Sequence, residues 1–246
     1  MDTLTAPVFT VQRAADRAHF DFGWLSTNHS FSFADYYDPE NLNWGALRVF
    51  NDDTVQPGKG FGRHPHRDME IVTYVLRGEL AHEDSMGHKG VVPAGGVQYM
   101  SAGTGLTHSE FNHSHERDVH FVQMWVLPKT YGEKPSYGQH EFAQADRTNR
   151  WLAVASGEAG IDVPIALRQD ATVRVARLED AALEVALRPG RFGFVFVADG
   201  AVSVNGERLE TGDAVRATGE QRFTLEGSAE LVFWDVPPTG VRLEDA

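Results

Sequence analysis

From about residue 44 the chain is built of short segments in which apolar and polar residues alternate, each closed by Gly, Pro, Asn or Asp: ALRVFND, EIVTYVLRG, GVVPAGGVQYMSAG and HFVQMWVLP. A period of two puts alternate side chains on opposite faces of a strand, and turn signals every ~8–12 residues leave no room for long helices. A β-sandwich or barrel is the class this rhythm allows. The stretch RFGFVFVADGAVSVNGERLETGDAVRA (191–217) overlays MEIVTYVLRGELAHEDSMGHKGVVPAGGVQYM (69–100), with ETGD answering PAGG. Repetition of one β-unit makes two related barrels in tandem the economical reading, with a single irregular sandwich as the alternative. The division is expected near residue 135, with the turn-rich segment 131–150 carrying the connection. A short helix is expected near Val11–Arg17, and the aromatic stretch HSFSFADYYDP (29–39) is expected to lie as an arm over core or edge strands.

With 246 residues the chain can bury a substantial core without staples. The absence of cysteine excludes disulfides, thiolate metal sites, iron–sulfur clusters and a cysteine nucleophile, so any metal must be held by nitrogen and oxygen. Lys and Arg number 22 against 35 Asp and Glu, a formal charge of −13 that repels phosphate backbones and anionic membranes. Neither direct nucleic-acid binding nor a membrane partner is expected. The opening MDTLTAPVFT shows no cationic leader, and no apolar run reaches about 18 residues, so a cytoplasmic location is expected.

Within GFGRHPHRDMEIVTYVLRGEL (60–80), His64 and His66 stand at i and i+2, the spacing that puts two rings on one face of a strand. A pair of solvated histidines would give the same local pattern. A second pair, His108 and Glu110, has the same spacing and begins 42 residues beyond His66. If the two strands are neighbours, three imidazoles and one carboxylate converge, a set suited to a divalent first-row metal and one that leaves coordination positions open. His82, His88, His113, His115, His120 and His140 are expected to be solvated or satisfied by neighbours. Imidazole must be neutral to ligate, so metal affinity is expected to fall as pH drops below about 6.5.

GWLSTNHSFSFADYYDP (23–39), the segment 60–110 and QMWVLP (123–128) resemble the pirins of the cupin superfamily, most closely the bacterial pirin-like proteins described as quercetin 2,3-dioxygenases. The resemblance covers most of residues 20–130 and implies an all-β bicupin. Two tandem jelly-roll cupin barrels with short helices would occupy residues 1–135, with the metal, and 136–246, without it. The family's two metal-binding segments fall on RHPHRDME and GLTHSE, which implies His64, His66, His108 and Glu110 as ligands. The implied cofactor is one divalent transition metal, iron first, with Ni, Cu, Mn, Co or Zn as alternatives. The implied activity is opening of the heterocyclic ring of a flavonol such as quercetin with O2, Glu110 serving as ligand, general base or both. The implied partners are therefore a flavonol or catechol-type small molecule and O2. A different class within the family implies a metal-containing regulator that binds a transcription factor or metabolic enzyme, and a third possibility is a metal cupin acting on another enol or catechol. The second half departs from the pattern: RPGRFG (188–193), with Arg188 and Arg191, stands where the first has HPH, and no His follows His140. A structural or recognition role is left for that barrel.

Overall fold

The computed structural model describes residues 7–239; residues 1–6 and 240–246, which fall within the expected domain limits, lie outside it. The chain folds into two curled sheets, antiparallel throughout except for one short parallel pair in the second. The first contains β2 (Ala18–Asp21), β3 (Leu25–His29), β4 (Leu47–Val55), β5 (Gly60–Arg77), β6 (Glu79–Asp84), β7 (Lys89–Pro93), β8 (Gly96–Asn112), β9 (Val119–Val126) and β10 (Ser136–Glu141). Its main order is β2-β3-β4-β9-β5-β8-β6-β7, with β10 paired to β8. The second holds β1 (Val8–Gln12), β11 (Leu152–Ser156), β12 (Ile165–Ala166), β13 (Thr172–Leu187), β14 (Phe192–Val204), β15 (Glu207–Glu210), β16 (Ala214–Thr218) and β17 (Gln221–Val236). This is the all-β, two-barrel architecture that the alternation implied.

Strand exchange blurs the expected cut at residue 135. β10 lies beyond the cut yet pairs with β8, while β1, from the start of the chain, pairs with β16 in the second sheet. Val11–Arg17 is correspondingly not a helix: it completes β1 and then makes a single 3-10 turn, Ala14–Asp16. The alternation of VFTVQ suits an edge strand, and Arg13 anchors it by bonding Asp213 at 2.8 Å. Residues 30–37 do act as an arm. Phe31 is fully buried and meets Phe194 of β14 at 5.5 Å between ring centres, joining the two sheets.

One apolar core spans both sheets, with Phe50, Tyr74 and Met124 from the first against Phe194, Phe196 and Trp234 from the second. Two buried carboxylates cross the same junction. Glu70, fully buried on β5, accepts hydrogen bonds from the Tyr99 hydroxyl (2.6 Å) and from the backbone N–H groups of Arg168 (2.8 Å) and Gln169 (2.7 Å). Glu230 on β17 accepts from Tyr74 and pairs with Arg147. A charge taken out of water is tolerable only when its lone pairs are met in this way.

The two barrels differ inside. The second is filled by Leu178, Leu187, Val197, Leu209, Phe223 and Leu231 among others. Arg191, in the place of the histidine motif, is buried and ion-paired with Asp235 and Asp170, so it braces that barrel. Replacing Glu70 with Ala leaves one buried and one part-buried N–H group and a buried hydroxyl without their acceptor, and is expected to cost on the order of 3 kcal/mol of stability. A urea midpoint indistinguishable from wild type would show that the clasp contributes nothing.

Candidate metal centre

Two long strands set the site. β5 and β8 run antiparallel with His64 directly opposite His108 and His66 opposite Leu106, and the register slips on either side of this window, between Phe61 and His64 and between His66 and Asp68. Such bulges re-aim side chains where a sheet edge becomes a site. Close approach of the strands depends on glycine: a Cβ on Gly60 would lie 2.2 Å from the carbonyl oxygen of Glu110. Gly103, at a positive φ of 48°, lies beside the second slip, where a Cβ would meet the Glu133 carbonyl at 2.0 Å.

His64, His66 and His108 converge, each offering one ring nitrogen within 4.8 Å of the others. The Nε2 atoms of His66 and His108 are 2.9 Å apart. Two lone pairs at that distance repel unless a proton or a cation lies between them, so the donor set fits a metal ion. His64 Nδ1–H donates to the Gly62 carbonyl at 2.7 Å, which fixes the tautomer and leaves Nε2 free to ligate. Burial, then the neighbouring imidazoles His108 and His64, lowers His66 to about 3. Burial, then His64, does the same to His108. These two rings stay neutral well below the unperturbed imidazole value, so the expected loss of metal affinity near pH 6.5 does not arise from them.

Glu110 has the expected parity but stands slightly apart. Its Oε2 is 4.0 Å from His108 Nε2 and accepts from Gln123 Nε2 at 2.8 Å, while Gln123 Oε1 accepts from Trp125 Nε1 at 3.2 Å. Oε1 of Glu110 is buried without a protein partner. Burial raises the Glu110 carboxyl, and the Gln123 hydrogen bond offsets part of that. The other histidines foreseen as satisfied include His82, which meets Gln139 and Tyr137, His88, which meets Asp84, and His120, which meets Asp52 at 2.7 Å.

A cavity of about 750 Å³ opens beside the three rings. Its wall is aromatic, with Phe20, Trp24, Phe33, Phe61 and Trp125 among the lining residues, and His66 packs edge-on against Trp125 at 4.9 Å. Its deeper face carries groups that the sequence reading did not single out. One row across six strands holds His29, Asn51, Gln123, Thr73, Gln98 and Gln139 in register. Residues directly opposite in an antiparallel pair share a face, so the row is a polar belt inside the barrel. Asp53 sits two residues from Asn51, opposite Thr27. Burial pushes its carboxyl up to about 7; the Thr27 hydroxyl opposes this, and the charges of Asp52 and Glu110 add to it. Burial lowers His29 to about 4. The sequence signal was there in alternation, TNHS and FNDDT, but Asn and Asp next to a strand read as turn formers.

A cupin-type barrel with a three-histidine cluster at its mouth, joined to a second barrel with no such cluster, defines the class as a bicupin with one centre for a single metal ion. Residues 9–126 match the Pirin family model and residues 153–235 the model of the quercetinase C-terminal cupin domain. The chain is 44% identical to a pirin-like protein of Caulobacter vibrioides over 87% of this chain and 94% of that one. It is 41% identical to a quercetin 2,3-dioxygenase of Escherichia coli K12 over 93% and 98%. The crystal structure of the bacterial pirin YhhW of Escherichia coli in complex with nickel(II) superposes with a TM-score of 0.87 at 38% identity, covering 94% of this chain and all of that one. The protein belongs to the pirin family. No helix among the described residues is long and apolar enough to cross a membrane.

The titrations give the metal-free protein a pH dependence. Unfolded imidazoles titrate near 6.5, whereas His29, His66 and His108 resist protonation in the fold down to about 4, 3 and 3, so between these limits the unfolded chain binds three more protons. Asp53 acts the other way: its folded value near 7 exceeds that of the free side chain, so its contribution is present at low pH and lost as pH rises through 7. Glu110, raised by burial, acts in the same sense as Asp53, and His82, lowered by burial, joins the three imidazoles, so the imidazoles outnumber the carboxyls. The urea midpoint of the metal-free protein is expected to be lower at about pH 5 than at about pH 7, and an equal or higher midpoint would contradict these assignments.

Proposed function

We propose that the protein is a metal-dependent dioxygenase that opens the heterocyclic ring of a flavonol such as quercetin with O2, using His64, His66, His108 and Glu110. The observation that carries this reading is the adjacency of an aromatic-walled cavity to three convergent imidazoles that fit an ion. A flat, apolar ring system gains by stacking and burial against Phe61, Phe33 and Trp125, while its polar edge turns to the imidazoles. Trp125 has two roles: its ring forms part of that wall, and its indole N–H orients Gln123, which in turn holds Glu110.

The three histidines would hold the ion, and Glu110, whose Oε2 is 4.0 Å from His108 Nε2, would join them as the anionic ligand. When bound, the ion supplies a Lewis acid that lowers the pKa of a ligand hydroxyl. Glu110 is placed to receive the proton so released, because burial raises its carboxyl toward the range where a base is effective. Iron is the proposed native ion. A nitrogen and oxygen donor set accepts several first-row ions, and nickel(II) in the Escherichia coli relative is compatible with that.

The test is oxygen uptake by iron-loaded protein on addition of quercetin. Uptake matched by loss of flavonol absorbance is expected, and Glu110→Gln is expected to lower the rate by at least about 10²-fold while the protein stays folded. No uptake by fully loaded wild-type protein would overturn the oxygenase reading in favour of the non-enzymatic regulator. A fully active Glu110→Gln would remove the carboxylate from the chemistry.

A further inference from the structure

The deep face of the cavity, built by β3 and β4, is where buried polar groups lack protein partners. Asp53, Thr27, Asn51 and His29 all line the cavity, and each is at least 95% buried. Each presents an atom without a hydrogen bond: Asp53 Oδ1, Thr27 Oγ1, Asn51 Oδ1 and His29 Nδ1. A buried acceptor left unmet costs free energy comparable to a lost hydrogen bond, and folded proteins seldom tolerate four on one wall without a counterpart. They are not tied to the metal centre: β4 is separated from β5 by β9, and the intervening inward residue, Gln123, already serves Glu110.

The chemistry of the wall says what it asks for. One of the four atoms, the Asn51 amide oxygen, can only accept, while the carboxyl, the hydroxyl and the imidazole can accept or donate. Anionic ligand groups are disfavoured there, because Asp53 and Glu110 repel one another's charge already and a further carboxylate would add to that. Neutral O–H donors fit. We propose that Asp53, Thr27, Asn51 and His29 form a second subsite that binds hydroxyl groups on the ligand's far end, so that the preferred ligand is a planar ring system hydroxylated both at its metal-facing edge and at the end away from it. This deepens, and rests on, the reading of the cavity as a site for phenolic ring systems. It assigns specificity to residues that take no part in holding the ion.

The test is anaerobic titration calorimetry on metal-loaded protein with two flavonols that share the 3-hydroxyl and 4-carbonyl pair: quercetin and 3-hydroxyflavone, which lacks the other hydroxyls. Wild type is expected to bind quercetin about tenfold more tightly, the equivalent of one or two net hydrogen bonds. Asp53→Leu and Thr27→Val, both close in shape to the residues they replace, are expected to bring that ratio toward one without changing metal content or affinity for 3-hydroxyflavone. Thr27→Val keeps the test decisive should Asp53→Leu fail to fold. A wild-type ratio near one, a ratio unchanged in the folded variants, or no binding of either flavonol would each overturn the proposal. Hydroxyl-dependent binding without oxygen uptake in air would sink the oxygenase reading and leave this subsite standing. Oxygen uptake with the ratio unchanged in the variants would do the reverse.

Discussion

The pairing of β5 with β8 is the constraint on which the site depends. With His64 opposite His108 and register slips on both sides, the histidine window is held as a short, exact-parity ladder between two irregular stretches. A one-residue slip would turn an entire side-chain set to the other face, so the imidazoles are convergent only because this register is fixed. It is fixed by close backbone approach at Gly60 and by the buried row behind the window, where Ile71 and Met100 pair and pack with Leu106. The metal centre is thus a consequence of sheet geometry, and its second support, His64 to Gly62, is itself backbone.

The second barrel completes the arrangement by giving the first a rigid back. Its interior is apolar and full, and its strands present Phe194, Phe196 and Trp234 to the outer face of β4, β5 and β9. Glu70 and Glu230 add directional bonds across that junction. The first barrel keeps an open, polar interior beside that filled one. A belt of polar side chains inside a barrel weakens its core, and burial of apolar surface in the partner and at the junction offsets that loss.

What the sequence revealed and what it hid follow one physical rule. Parity along a strand is readable, so HPH and THSE pointed to convergent ligands, and the missing second motif left the second barrel a structural or recognition role. Partner choice in space is not readable from parity. Nothing in VFTVQ says that β1 joins the second sheet, and the end of β4, Asn51 to Asp53, looked like a turn because Asn and Asp favour turns in isolation. In the fold these residues continue the strand because β3 and β9 pair on either side, Arg17 and His120 meet Asp52, and Asn51 and Asp53 gain the cavity. Glu110 is the intermediate case: its face was readable, whereas the turn of its carboxylate toward Gln123 depends on a side chain 13 residues further on.

The central claim is that three imidazoles and one carboxylate from β5 and β8 share a single ion. X-ray absorption at the metal edge of the loaded protein tests it most directly. The account predicts one ion per chain with three imidazole nitrogens at about 2.1 Å and oxygen completing the shell, and loss of nitrogen scattering in His64→Ala and His108→Ala. An ion with one imidazole or none, or a spectrum unchanged in both variants, would contradict it.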